Sequence, residues 1–147
     1  GIVNLEKLYL SIKKLELKLE DSKNYYELSY HLGIAQINTK NLQEKIFGLE
    51  CNFEELNGID FKKGCYVGQE NTARMKLKNK VRTKLFAIKS NDKLKIGSDI
   101  NFNSIKIGQI VIDEPYPFGL IKIVDPDFSE YKDKDLLIND SKSKIIQ

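Results

Sequence analysis

The spacing of apolar and polar positions changes near residue 80, and the two parts of the chain predict different architectures. Beyond that point apolar residues alternate in short runs, 85–89, 99–102, 105–113, 119–124 and 135–138, each of which reads as a strand. Between the runs stand Asn91-Asp92, Ile96-Gly97, Asn103-Ser104, Pro115 with Pro117, and Asp125-Pro126, residue types that turn a chain. Short strands separated in this way predict a small antiparallel barrel or sandwich, with a domain boundary near residue 80.

Before the boundary no single period holds. Within residues 5–20, Leu15, Leu17 and Leu19 alternate with Glu16, Lys18 and Glu20, the pattern of a half-buried strand closed by Asp21-Ser22. Ser22 then stands as a cap before a short helix that includes Tyr25 to Leu32, and Gly33 falls where a helix C-terminus takes a left-handed residue. Residues 38–47 predict a second short helix, capped by Asn38 or Thr39, with Leu42 and Ile46 as a thin apolar face. Asn57-Gly58 marks a turn, and 69–78 is helix-compatible, with Glu70 near its start and Arg74 four residues on as an acid-to-base pair. The fold class expected is α+β: a short α+β segment over 1–80 carrying a signature turn, followed by a small antiparallel β-barrel over 81–147. The sequence shows no internal repeat and no long disordered tract.

Composition narrows the function classes. With 147 residues, 41% hydrophobic and 31% charged, the chain suffices for one ordinary domain, or a small domain plus part of another. No apolar run approaches the roughly 20 residues that cross a bilayer, and the N-terminus lacks a signal-peptide pattern, so a cytoplasmic protein without a membrane partner is expected. Gly1 in place of methionine fits a processed start, a tag remnant or a piece of a longer chain. Cys51 and Cys65 have no CxxC spacing, so a zinc or iron–sulfur site within the chain is not expected. His31 is the only histidine and leaves few geometries for Ser-His-Asp or Cys-His catalysis. A net charge of +3 names no partner. Among 24 Lys and Arg residues only Arg74 and Arg82 are arginine, which makes both candidates for planar, bidentate pairing, against a solvated face as the alternative.

The densest chemistry is the octapeptide Lys63-Gly64-Cys65-Tyr66-Val67-Gly68-Gln69-Glu70. Its glycines suit a chain folded tightly around its neighbours or a ligand, so that a thiol, a phenol, an amide and two opposite charges project from one frame. Lys63 and a predicted helix start would lower the pKa of Cys65; a buried structural thiol is the alternative. Tyr66 offers a flat ring to a heterocycle or to the core. Glu70 is suited to accept from ring N–H donors, or to begin the following helix and pair with Arg74. Cys51, among Leu49, Asn52 and Phe53, reads as a small apolar filler. Arg74, Lys76, Lys78, Lys80, Arg82 and Lys84 would share one face if extended, facing an anionic ligand tail or an RNA backbone. The run lacks the interleaved aromatic residues of single-strand binders, so RNA is not the expected partner.

Lys-Gly-Cys-Tyr-x-Gly-Gln-Glu followed by Arg74 resembles the signature of the YgfZ-type folate-binding proteins, relatives of the glycine-cleavage T-protein, an aminomethyltransferase. The resemblance extends from about Tyr25 into the Lys- and Arg-rich segment. It implies tetrahydrofolate as cofactor and a role in maturing or repairing iron–sulfur enzymes, including tRNA-modifying ones. Cys65 would be the functional thiol, with Lys63, Tyr66, Gln69, Glu70, Arg74 and Arg82 around the folate. The partners implied are iron–sulfur client or assembly proteins and an N-terminal half of the same protein that completes the folate site. In the T-protein pattern a pterin-binding glutamate lies two positions before the helix-ending glycine. His31 occupies that place here, and a neutral imidazole does not offer the same two-oxygen acceptor. A tetrahydrofolate-dependent aminomethyltransferase and an RNA- or partner-binding module are the alternative readings.

Overall fold

Where apolar residues alternate after residue 82, strands form and close on themselves. The computed structural model describes residues 4–18, 20–64, 67–78 and 80–146. Helices α1 (Leu5–Lys14) and α2 (Lys23–His31), a 3₁₀ turn (Thr39–Leu42) and helix α3 (Gln69–Leu77) precede six strands. These are β1 (Thr83–Ser90), β2 (Asp99–Phe102), β3 (Ile105–Ile112), β4 (Phe118–Lys122), β5 (Leu136–Ile138) and β6 (Ser141–Ile146). The strands pair antiparallel in the closed order β1-β4-β3-β2-β5-β6, giving the expected α+β class with a small barrel. Closure leaves no free sheet edge.

Inside the barrel, Ile88, Ile100, Ile107, Ile110, Ile121, Leu136 and Ile138 pack around Tyr131, whose hydroxyl donates to the Lys122 carbonyl. The outer face of β1 is covered too. Leu85 and Ala87, with Ile112 and Phe118, pack against Leu42, Tyr30, Ala35 and Ile46 of the preceding segment. That second cluster fastens residues 23–57 to the barrel. Polar contacts reinforce it: the Tyr30 hydroxyl donates to the Ile88 carbonyl at 2.5 Å, the Asn52 amide to the Leu85 carbonyl at 2.7 Å, and the Leu85 N–H to the Glu50 carbonyl at 2.7 Å.

Three sequence-based expectations need correction. The strand expected from Leu15, Leu17 and Leu19 does not form; Leu19 lies outside the described residues, and α1 takes the preceding stretch. The Asn4 side chain accepts from the Lys7 N–H at 3.1 Å and opens that helix, with Glu6 in its first turn and Lys13 and Lys14 in its last. The N–H groups of Leu15 and Leu17 donate back to Ser11 and Ile12 carbonyls at 3.0 Å, so they cannot serve a ladder. The helix expected over 38–47 contracts to the 3₁₀ turn, because Asn38 before it is left-handed (φ 57°), Gln43 at its end is extended (ψ 130°) and Glu44 beyond is left-handed (φ 61°). The cations between Arg74 and Lys84 do not line one face: α3 holds Arg74 and Lys76, the Lys80 N–H donates to the Met75 carbonyl, and Lys84 lies in β1.

A sixth strand, β6, escaped the sequence reading. Its Ser-Lys-Ser-Lys start carries no apolar alternation, and its inward position is filled by Ser143. The available signal was Asn139-Asp140, whose left-handed conformations (φ 49° and 66°) make the two-residue loop of the β5–β6 hairpin. The helix ending at His31 follows expectation. The Gly33 N–H donates to the Tyr30 carbonyl and the Ile34 N–H to the Ser29 carbonyl, closing its C-terminus around a left-handed Gly33 (φ 71°).

Candidate functional site

The signature turn leads directly into α3, and Gly68 makes the transition. Its φ of 86° is one that L side chains rarely adopt, so glycine there sets the direction of the helix. A Cβ at Gly64 or Gly68 would meet nothing within 4 Å, so neither glycine serves a close approach among the described residues. The Thr72 N–H and hydroxyl both donate to the Gly68 carbonyl, at 3.2 and 3.1 Å. Gly68 offers no side chain to cap α3, and Glu70 in its first turn sits where the helix dipole favours a carboxylate.

Gln69, Glu70 and Arg74 therefore share α3; Gln69 is half-buried and the other two are exposed. Glu70 and Arg74 do not close to ion-pair distance, so the expected i,i+4 pair does not form among the described residues. Lys63 is exposed in the loop before the helix. Arg82 is exposed just before β1, where its carbonyl accepts from the Ile123 N–H at 2.8 Å. Cys65 and Tyr66, expected as the functional thiol and a ring beside it, lie outside the described residues. His31 ends α2 with an exposed ring 5.6 Å from that of Tyr30.

Behind α3 a groove of about 450 Å³ lies between the helix, the turns at 49–57 and the barrel, lined by Leu49, Met75, Val81 and Ile123. Two ion pairs cross its walls: Lys76 with Glu54, and Lys84 with Glu55. Burial pushes the Lys84 ammonium below its ordinary value, and the Glu54 carboxylate opposes that shift. Lys76 also sits 4.2 Å above the centre of the Phe61 ring. A separate apolar cavity of about 410 Å³ is lined by Ile34, Leu42, Phe53, Leu85 and Cys51. Burial, then the Glu50 carboxylate, pushes the Cys51 thiol up, which keeps it protonated and poorly nucleophilic. Among the described residues, no signature side chain lines either recess. No group of three or more potential metal ligands occurs among the described residues, and no helix there is long and apolar enough to cross a membrane.

A small closed barrel preceded by a helix that carries polar signature residues defines a helix-and-barrel module. No family model matches the chain. It is similar to the mitochondrial iron–sulfur cluster assembly factor IBA57 homologue of Dictyostelium discoideum, 40% identical over 77 residues, which are 52% of this chain and 18% of that protein. The Aspergillus oryzae homologue is 43% identical over 56 residues, 38% of this chain and 12% of that protein. The mouse factor is 36% identical over 72 residues, 49% of this chain and 20% of that protein. The chain thus matches no more than about a fifth of the length of these relatives. All three are described as mitochondrial, which overturns the expectation of a cytoplasmic protein.

Proposed function

We propose that this chain is part of a YgfZ-type, folate-binding iron–sulfur cluster assembly factor that works in mitochondria, with Cys65 as its functional thiol. Similarity of about half the chain to iron–sulfur cluster assembly factors carries this reading. The signature residues support its folate part: Lys63 before the turn and Gln69, Glu70 and Arg74 on α3 supply donors, an acceptor and a guanidinium, which would receive tetrahydrofolate beside Cys65 and Tyr66. Arg82, at the start of the barrel, would hold the anionic end of the ligand.

In this reading residues 1–80 are the C-terminal part of the folate-binding domain and 81–147 its barrel domain. Leu5, Tyr9, Leu28, Val67 and Leu77 each expose a large apolar side chain, which an N-terminal half of the same protein would cover. Iron–sulfur client or assembly proteins are the partners, and tRNA-modifying enzymes are among the clients proposed.

The test is complementation in cells depleted of the related assembly factor. The intact protein should restore iron–sulfur enzyme activities, and Cys65→Ala should fail to do so while keeping its melting temperature. Full rescue by Cys65→Ala would remove the thiol from the mechanism. A loss of activity matched by a loss of stability would make Cys65 a packing residue.

A further inference from the structure

Helix α3 bears Gln69, Glu70 and Arg74, yet none of its residues is buried, and Leu77 near its end is largely exposed. Apolar packing therefore does little to fix its position. Charge does more. The adjacent acids Glu54 and Glu55 each take a lysine from a different element: Glu54 pairs with Lys76 of α3, and Glu55 with Lys84 of β1. The same ammonium of Lys76 lies over the Phe61 ring, just ahead of the signature turn. One acidic dipeptide thus joins the signature helix to the barrel across the groove behind it.

We propose that Glu54-Glu55 is an electrostatic latch that positions α3, so that the ligand affinity of the signature turn is set by ionic strength and by charged groups that compete for the two acids. Closed, the latch holds Gln69, Glu70 and Arg74 in a fixed relation to Arg82 on the barrel side. Open, the helix moves as a unit and that relation is lost. Lys76 and Glu54 are positioning residues here; neither belongs to the ligand-binding set. The ligand arm of the proposal rests on the folate reading above, whereas the movement of the helix does not.

The experiment follows amide hydrogen exchange across residues 69–77 of the intact protein, beside tetrahydrofolate affinity, in wild type, Lys76→Glu, Lys76→Arg and the swapped pair Lys76→Glu with Glu54→Lys. Lys76→Glu should speed exchange and weaken binding roughly 3- to 10-fold, the range for a partly exposed ion pair joined to a cation–π contact. Lys76→Arg should behave as wild type, and the swap should recover at least half of each loss. Raising salt from about 0.05 to about 0.5 M, which shortens the Debye length several-fold, should speed exchange in wild type and slow it in Lys76→Glu, where salt screens the new repulsion from Glu54. Exchange that ignores both salt and charge reversal, or a swap that recovers nothing, would overturn the latch. If wild type binds no tetrahydrofolate at any salt, the folate reading fails and the exchange data alone decide whether the latch exists.

Discussion

Removing the hydroxyl of Tyr30 should weaken the joint between α2 and the barrel by a definite amount. The hydroxyl donates to the Ile88 carbonyl at 2.5 Å from a half-buried position, while the ring packs against Tyr116 and Phe118 at centroid distances of 5.2 and 5.7 Å. Tyr30→Phe keeps the ring contacts and deletes the donor, so the loss is that of one part-buried hydrogen bond, about 1 kcal/mol. With a urea slope of ~2 kcal/mol per M, the unfolding midpoint should fall by ~0.5 M at neutral pH. Tyr116→Phe is the control, because its hydroxyl makes only a long 3.4 Å contact with the Lys23 carbonyl at an exposed site. Alkali gives a second reading. Burial raises the Tyr30 phenol from 10.0 to about 12, so the neutral form is favoured in the folded state. The stability this confers is complete below the ordinary value near 10.0 and is lost as pH rises through about 12. Tyr30→Phe should therefore lose less stability over that window than wild type does. Tyr131, also raised to about 12 by burial and then by Asp127 and Glu130, keeps its own share. Equal midpoints for wild type and Tyr30→Phe, with equal alkaline losses, would refute the joint as drawn.

Two further substitutions probe the barrel. A Cβ at Gly119 would lie 2.4 Å from Cδ1 of the fully buried Ile100, so Gly119→Ala should cost about 1–3 kcal/mol. Ile100→Val removes that methyl and should recover much of the loss in the double variant, whereas simple additivity in urea unfolding would mean that the clash lies elsewhere. The Ser143 hydroxyl is buried with no hydrogen-bond partner among the described residues, so Ser143→Ala should leave the melting temperature unchanged or raise it by ~2–4 °C. A fall of that size would show that the hydroxyl is bonded.

The barrel was legible in the sequence because each of its first five strands is an apolar alternation closed by a turn residue, and the strand bounds at 99–102 match β2. What failed did so where a side chain's partner is far away in sequence. Leu15 and Leu17 alternate with charged residues as strand residues do, but among the described residues no strand pairs with them, and local bonds to Ser11 and Ile12 decide the outcome. The spacing of Lys76 and Lys84 suggested a shared face, yet each is directed by an acid 22 or 29 residues earlier, Glu54 or Glu55. Ser143 faces the barrel interior although serine gives no apolar signal. In the candidate site, the helix from Gln69 and the turn at Gly68 were readable from residue type alone. The attachment of that helix to the barrel was not, because it depends on tertiary charge pairs.

Titration of the intact protein with tetrahydrofolate tests the central claim most directly. Saturable one-site binding is expected, weakened at least ~10-fold by Glu70→Ala, which removes a charged hydrogen-bond acceptor. Absence of saturable binding to the folded protein, or wild-type affinity in Glu70→Ala, would contradict it.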